Sequence, residues 1–467
     1  MNIFQIKDTI CAIATAQGGA IGVIRVSGEN AISITDKIFQ PSRNGKKLSE
    51  RKSHTLTFGN IINEKGEIID EVLVSIFRNP HSYTGEDSIE ISCHGSSYIL
   101  QQVMQLLITN GCRTASAGEF TQRAFVNGKM DLSQAEAVAD VIAANSAASH
   151  RMAMNQMRGG FSKELSTLRD QLLHITSLME LELDFNDHED LEFADRRELS
   201  DLVEKIKNVV NNLVLSFSVG NVIKNGVPVA IIGETNAGKS TLLNALLNEE
   251  RAIVSDIHGT TRDVIEDTIN IGGVLFRLID TAGIRETSDT IESIGIERSF
   301  QKLRQASIVL WVVDATKIND DFYHLAEQLL PEMEDKEVII VLNKSDLKED
   351  CILSEAITSL DYIRNIKLSA KYKTGINELQ ELMVKLASLP EISQSDVVVS
   401  NIRHYEVLKK SLEYLYNVQD GLAMNLSGDF ISQDLRACLF HLAEIVGGEI
   451  TTDEVLGNIF KNFCIGK

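Results

Sequence analysis

The sequence is poor in the residues that mark secreted, membrane-spanning or zinc-scaffolded proteins. Its six cysteines form no C-x-x-C pair and no zinc-ligand spacing, which excludes a cysteine-based zinc site and predicts reduced thiols. No apolar run is long enough to cross a bilayer. The apolar N-terminus is better explained as a hairpin turned at Gly18-Gly19 than as a signal peptide. We therefore expect a cytoplasmic protein with no membrane segment.

Positive charge is also scarce. The chain carries 45 Lys and Arg against 66 Asp and Glu, a formal net charge of −21. Such a field repels phosphates, so overall electrostatics cannot hold a nucleic acid on this protein. Any RNA partner has to be gripped locally or by another protein.

Only five prolines occur, and Pro228 and Pro390 bracket a segment with its own pattern of strands and helices. The proline-free flanks carry apolar residues at helical spacing, as at Leu165, Leu168 and Leu172, followed by Ile175 and Met179. Short Ile- and Val-rich runs near the N-terminus indicate an α+β domain. We predict a multidomain protein: an N-terminal α+β domain and a mostly α-helical domain that an α/β domain interrupts. The predicted segments are 1–128, 129–222, 223–388 and 389–467.

The strongest local signal is "VAIIGETNAGKSTLLNAL", in which an apolar strand runs into Gly233-x-x-x-x-Gly238-Lys239-Ser240 and then into a helix. This context is typical of a P-loop. Its glycines let backbone N–H groups surround a β-phosphate at a helix N-terminus, Lys239 neutralises phosphate oxygens and the Ser240 hydroxyl can bind Mg²⁺. The inserted segment is therefore predicted to be a Ras-like P-loop G domain.

The base is predicted by "VIIVLNKSDL", which places Asn343-Lys344-x-Asp346 at the end of an apolar strand. The Asp346 carboxylate can accept from N1–H and from the exocyclic amine of guanine, whereas adenine would leave a buried charge unpaired. In "KLSAKYKTGI", a backbone amide of Ser369-Ala370-Lys371 can donate to the guanine O6. These motifs predict a GTP site.

Two further motifs lie between the P-loop and this strand. "HGTTRDV" contains Thr260 and Thr261, and "RLIDTAGIRET" contains Asp280 for Mg²⁺ and Gly283 for the γ-phosphate. Ile284 stands where Ras-like enzymes have the glutamine that orients water, so another polar group must do so. For the nearby charged residues, a catalytic role and an exposed helix surface are equally good explanations; they are Arg285, Glu286, Glu292 and Arg298.

The whole chain resembles the bacterial and organellar tRNA-modification GTPase family called MnmE or TrmE. The resemblance rests on "GTTRDV", "DTAGIRET", "IGIERS" and "FCIGK", and on "SYTGEDSIEISCHG" and "GEFTQRAFVNGKMDLSQAEAVADVI" in the N-terminal part. It implies that segment 1–128 binds a tetrahydrofolate derivative (5-formyl or 5,10-methylene) and dimerises. The implied folate contacts are Arg25, Glu90, Lys129 and Lys467, with the tail folded back so that Cys464 lies near the folate's reactive end.

The resemblance also implies that G domains pair around a potassium ion that replaces an arginine finger. Its ligands would be Asn236, Ser255, Ile257 and Thr260, while Ser240 and Thr261 would hold Mg²⁺ and Glu292 would orient water. Catalytic roles are thus expected for Glu292, Lys239 and Arg285. The full set of expected nucleotide and ion contacts is Asn236, Ala237, Gly238, Lys239, Ser240, Thr241, Ser255, Asp256, Ile257, His258, Gly259, Thr260, Thr261, Asp280, Thr281, Ala282, Gly283, Asn343, Lys344, Asp346, Ser369, Ala370 and Lys371.

Two positions depart from the family pattern: Thr235 replaces a usual proline, and Ser255 replaces a common threonine. Neither side chain is needed for phosphate binding, so we expect a slightly altered affinity or ion response.

The implied function is a dimeric GTPase that acts on the wobble uridine of tRNA together with the FAD-dependent protein MnmG, also called GidA. One alternative is a ribosome-assembly GTPase that acts only as a switch, which the acidic helical flanks and "FCIGK" disfavour. Another is a folate-dependent aminomethyl transferase acting on a small molecule or protein, which leaves the G domain unexplained.

Overall fold

The computed structural model describes residues 8–16, 18–42, 45–184, 196–249, 267–279, 303–348, 353–387, 396–448, 459–460, 463 and 466. The described residues form two compact units. The first draws on Met1–Ile142, Met154–Asn208 and Val407–Lys467, and the second on Ala143–Ala153 and Val209–Glu406. Nowhere in the described ranges does a helix combine the length and apolar character needed to cross a membrane.

The first unit contains a sheet whose described strands number seven, in the order β3-β4-β5-β6-β2-β1-β7. The predicted hairpin is present, because β1 pairs antiparallel with β2 and Gly18 turns between them with φ +93°. Residues on β5 alternate, so that Val72, Val74 and Ile76 are buried on one face. The strands are β1 Ile10–Ile13, β2 Ile21–Ser27, β3 Phe39–Pro41, β4 Thr55–Ile62, β5 Ile68–Phe77, β6 Ser88–His94 and β7 Arg113–Thr114.

Helices accompany this sheet and make up the flanks of the predicted G domain. The five apolar residues singled out from Leu165 to Met179 are all buried, which confirms the helical period. The helices are α1 Ala31–Ile38, α2 Ser97–Thr109, α3 Glu119–Val126, α4 Leu132–Ala143, α5 Ala147–Met157, α6 Gly160–Asp184, α7 Arg196–Asn225, α12 Ile402–Ala423 and α13 Gly428–Val446, the last two following α8–α11 of the second unit.

The second unit contains a sheet that, in the described part of the chain, has six strands in the order β13-β12-β11-β8-β10-β9. Every residue of β11 is buried, as expected for a central parallel strand covered on both faces. Its elements are β8 Val227–Ile232, α8 Lys239–Glu249, β9 Asp267–Ile271, β10 Val274–Leu278, β11 Ile308–Asp314, α9 Asp320–Leu329, β12 Glu337–Asn343, α10 Glu355–Thr358, β13 Ile363–Lys367 and α11 Ile376–Ala387. The multidomain α+β, helical and G-domain architecture is thus confirmed, while the segment boundaries stay a prediction.

A buried ion network ties α3 to the residues before β1. The Arg123 Nη2 atom lies 3.0 Å from Glu119 Oε1 and 2.7 Å from Asp8 Oδ1. Arg113 Nη2 lies 2.6 Å from the same Glu119 oxygen. Burial alone would raise the pKa of Glu119, but hydrogen bonds from Arg113, the Ser116 N–H and Arg123 lower it below its ordinary value. The network therefore stabilises the fold while Glu119 is charged.

We expect Glu119→Gln to lower the free energy of unfolding of the first unit by about 2 kcal/mol near neutral pH, since it removes charge-assisted hydrogen bonds from Arg113 and Arg123, which keep Asp8 as a partner. The pKa of Glu119 is lower in the folded than in the unfolded chain, so its contribution is present above the unfolded value of 4.5 and is lost as pH falls through the folded pKa. Urea unfolding followed by circular dichroism checks this.

The single tryptophan, Trp311, lies in the second unit and supplies an internal control. The urea concentration at which Trp311 fluorescence reports unfolding should be the same in the Glu119→Gln variant as in the parent. The prediction would be contradicted if the free energies of unfolding of variant and parent differed as much below pH 4.5 as they do near neutral pH.

Candidate functional site

The predicted P-loop lies between β8 and α8 and requires its glycines for two reasons. Gly233, Asn236 and Gly238 have φ values of +143°, +64° and +99°. A Cβ at Gly233 would lie 2.1 Å from the Val312 carbonyl oxygen, and one at Gly238 would lie 2.2 Å from Asn343 Nδ2. Alternation of left- and right-handed residues turns successive N–H groups to one side, which suits a phosphate. The loop therefore fits the predicted anion.

The side chains at the start of α8 also fit a phosphate-binding role for the loop. The Lys239 ammonium donates to the carbonyl oxygens of Gly233 and Glu234, each at 2.7 Å, so it lies over the loop. Ser240 and Thr241 follow in the first turn of the helix, where a hydroxyl and the positive helix end favour a phosphate and its metal ion. A cation and helical N–H groups therefore converge where the phosphates are predicted.

Asn343 joins the P-loop to the base-recognition motifs. Its Nδ2 donates to the Ala237 carbonyl oxygen at 2.8 Å, and its Oδ1 accepts from the Ala370 N–H at 3.0 Å. The residue is 3% exposed, so both ends of the amide are paired away from water. The three separate sequence motifs thus meet at one side chain.

The geometry refines the predicted donor to the guanine O6. The Ser369 N–H donates to the Thr374 carbonyl oxygen and the Ala370 N–H donates to Asn343, each at 3.0 Å. Of these three amides, only the Lys371 N–H has no acceptor within the described ranges. It is therefore the better donor to O6, a distinction that spacing alone could not make.

Asp346 is held in place for reading the edge of a base. The Ser369 hydroxyl donates to Asp346 Oδ1 at 2.5 Å, while the Asp346 residue itself is exposed. A carboxylate fixed at one oxygen and open at the other side can accept from the guanine N1–H and amine. Ser369 was predicted for its backbone, and its side-chain role is an addition from the structure.

Fourteen predicted site residues lie outside the described residues, and their roles stay predictions. They are Ser255, Asp256, Ile257, His258, Gly259, Thr260, Thr261, Asp280, Thr281, Ala282, Gly283, Arg285, Glu292 and Lys467. Of the predicted metal ligands, Asn236 and Ser240 are described.

A second candidate site lies on the sheet of the first unit, where Arg25 of β2 is opposite Glu90 of β6. The Arg25 Nη2 and Nε atoms donate to Glu90 Oε1 at 2.8 Å and 3.0 Å. The two residues had been predicted as separate folate contacts, whereas in the structure they bind each other. The Arg25 guanidinium also lies 5.5 Å from the Tyr83 ring centre and 5.6 Å from that of Phe120. Sequence reasoning missed both aromatic residues, although each lies within a motif that carries the resemblance.

Of the other two predicted folate contacts, Lys129 is described and Lys467 is not. The Lys129 ammonium donates to the Pro80 carbonyl oxygen at 3.0 Å, in the loop that also carries Tyr83. Gly466 accepts a hydrogen bond from Arg25 Nη1 at 3.3 Å through its carbonyl oxygen. Its φ is +93°, and a Cβ there would lie 2.5 Å from the Ile13 carbonyl oxygen. The described tail residue therefore contacts the N-terminal sheet.

We expect Gly238→Ala to weaken guanine-nucleotide binding about tenfold or more, because the added Cβ displaces Asn343 from its bond to the P-loop. Gly273→Ala is the matched control: Gly273 also has positive φ, at +83°, but nothing lies within 4 Å of its added Cβ. Titration with a fluorescent GDP analogue measures both. Equal affinities of the two variants would contradict the prediction.

Comparisons with known proteins cover the chain almost from end to end. The family described as "GTP-binding protein TrmE N-terminus" matches residues 9–129, and the family described as "MnmE helical domain" matches residues 132–464. A protein of Bacteroides thetaiotaomicron named tRNA modification GTPase MnmE is 64% identical over 466 residues, covering 99% of this chain and 100% of the relative. The protein of that name from Flavobacterium johnsoniae is 53% identical over 469 residues, covering 99% of each chain.

Among solved structures, the G domain of the Thermotoga maritima FeoB iron transporter is 27% identical and covers 35% of this chain and 99% of its own. The TM-score of this match is 0.25. The family matches and the full-length relatives agree with the motifs at both sites. The chain belongs to the MnmE family of tRNA modification GTPases.

Proposed function

We propose that this protein hydrolyses GTP while it helps to build an aminomethyl-type or carboxymethylaminomethyl group on C5 of the wobble uridine of certain tRNAs. The observation that carries the proposal is the 64% identity, over 466 residues, to a protein named tRNA modification GTPase. The P-loop, Asn343 and Asp346 supply the nucleotide part of this activity. The one-carbon unit comes from a tetrahydrofolate derivative, and a flavin-dependent partner supplies the redox chemistry.

In the G domain, Lys239 and the α8 N-terminus bind the phosphates, and Asp346 with the Lys371 N–H reads guanine. Ser240 and Thr261 would hold Mg²⁺, which would neutralise phosphate charge. Asn236, Ser255, Ile257 and Thr260 would hold potassium, which would supply a further positive charge in place of an arginine finger. Glu292 orients the attacking water, because the Ile284 side chain has no hydrogen-bonding group. Arg285 also takes part in the hydrolysis step. The positive φ of Asn236, within the P-loop, supports the phosphate-binding part of this arrangement.

In the N-terminal domain, the Arg25–Glu90 pair and the two rings beside it form the folate site. Tyr83 and Phe120 offer flat apolar faces for a pterin, while the paired charges offer donors and acceptors to its polar edge. Lys129 and Lys467 serve the carboxylates of the folate tail. The contact of Gly466 with Arg25 supports a site that the C-terminal residues complete.

An uncovered apolar face on the same sheet supports a homodimer formed by N-terminal domains. Leu56 and Phe58 of β4 and Leu73 of β5 are 60%, 52% and 40% exposed, and Ile21 of β2 is 66% exposed. Phe58 is directly opposite Leu73, so these two exposed side chains are adjacent. Contiguous apolar surface of this kind marks an interaction site.

The charge of −21 supports a division of labour in which the partner, MnmG/GidA, provides most of the grip on tRNA. We place the protein in the cytoplasm, where tRNA is modified. The four free, buried thiols of Cys11, Cys93, Cys112 and Cys438 are compatible with a reducing compartment.

Mass analysis of nucleosides from total tRNA tests the function. We expect the modified wobble uridines to vanish when the gene is deleted and to return with the intact gene, because the proposed reaction requires this protein. The Gly238→Ala copy should restore them less well than the Gly273→Ala copy. Unchanged nucleosides after deletion, in cells without a second copy of the gene, would contradict the proposal.

The folate site has its own test in Gly466→Ala. The added Cβ collides with the Ile13 carbonyl oxygen and removes the tail from Arg25, so we expect about tenfold weaker binding of 5-formyltetrahydrofolate. Isothermal titration calorimetry measures the affinity. Gly66→Ala, at φ +80° with nothing within 4 Å, carries the same backbone strain without the collision. Equal affinities of these two variants would exclude a role for the tail.

A further inference from the structure

Asp314, the last residue of β11, binds the lysine of the guanine-recognition motif. Its Oδ2 lies 2.6 Å from the Lys344 ammonium. The other oxygen, Oδ1, accepts from the N–H of Thr316 at 3.0 Å and from the Thr316 hydroxyl at 2.7 Å. The Asp314 side chain is 6% exposed, so this carboxylate is held away from water and is aimed by three donors.

The backbone explains why Lys344 needs such a partner. Asp314 and Asn343 are register partners at the ends of two parallel strands, and Lys344 follows with a φ of +64°. Residues other than glycine and asparagine rarely adopt that conformation. It directs Asn343 toward the P-loop and Lys344 toward β11. A flexible lysine on such a turn would otherwise sample many rotamers in water.

The charge state of the pair supports a tight contact. Burial alone would raise the pKa of Asp314, but hydrogen bonds from Lys344 and Thr316 lower it below its ordinary value. A charged carboxylate and an ammonium at this distance form a strong hydrogen bond. The ammonium is therefore fixed at one end while its methylene stem stays free to pack.

We propose that Asp314 is a positioning residue for guanine binding, which acts by holding the Lys344 side chain across one face of the bound base. Asp346, two residues farther on, reads the edge of the base, whereas the apolar Lys344 stem covers its face. The inference rests on the GTP-binding part of the proposed function. It adds a residue that belongs to neither the P-loop nor the Asn343–Asp346 motif.

The test is Asp314→Asn, which keeps the size of the side chain and removes its charge. We expect affinity for GTP to fall about tenfold, as for the loss of one charge-assisted hydrogen bond, with KM raised and kcat unchanged. Inosine triphosphate should lose affinity by the same factor, because it lacks only the amine that Asp346 reads. Asp335→Asn is the control: it removes an equal charge from an exposed carboxylate that pairs with Lys336 in the same unit, and should leave affinity unchanged.

A double-mutant comparison separates positioning from a general loss of structure. If Asp314 acts through Lys344, the double variant Asp314→Asn with Lys344→Gln should bind GTP no more weakly than Lys344→Gln alone. Additive losses, or Asp314→Asn affinity within twofold of the Asp335→Asn control, would overturn the inference. Absence of GTP binding by the unaltered protein would overturn the proposed function and this inference with it.

Discussion

One buried amide organises the nucleotide-binding unit. Asn343 spans the gap between the P-loop and the Ser369-Ala370-Lys371 turn, and both of its polar ends are paired. Its position follows from the sheet, because parallel strands bring their carboxyl ends, and the loops after them, to one edge. The same edge holds Lys344 and the phosphate loop. Since a Cβ at Gly238 would collide with Asn343, the P-loop and the predicted base-recognition motif share one packing arrangement.

The first unit uses a different physical solution. Its candidate site is an ion pair across two antiparallel strands, flanked by aromatic rings and closed by a carbonyl from the far end of the chain. Behind it, the network around Arg123 and Glu119 fixes the loop and helix that carry those rings. In the first unit, the Arg25–Glu90 ion pair forms the surface of the candidate site. In the nucleotide-binding unit, backbone groups form much of the surface of the candidate site.

Much of this could be predicted, and the failures have a common cause. The sequence predicts features that are contiguous along the chain and report local geometry. They are the P-loop, the Asn343–Asp346 motif, the helix with Leu165 and Leu168, and the β1–β2 hairpin. Sequence reasoning missed contacts between residues that are distant in sequence. They are the Arg25–Glu90 pair, the packing of Tyr83 and Phe120 around Arg25, and the contact of Asp314 with Lys344. Strand order decides which of them meet, and neither spacing nor composition specifies strand order. For the same reason, spacing could not show which amide of the Ser369-Ala370-Lys371 turn is already bound to Asn343.

The hydrogen bond between Arg25 and Gly466 joins residues 441 positions apart. At translation rates of about 5 to 20 residues per second, roughly 20 to 90 s separate the synthesis of these two residues. During that interval the strands around Arg25 can fold and pair with Glu90, but the tail contact cannot form. Completion of this candidate site therefore follows translation of nearly the whole chain, so that the N-terminal sheet can assemble well before the tail contact forms.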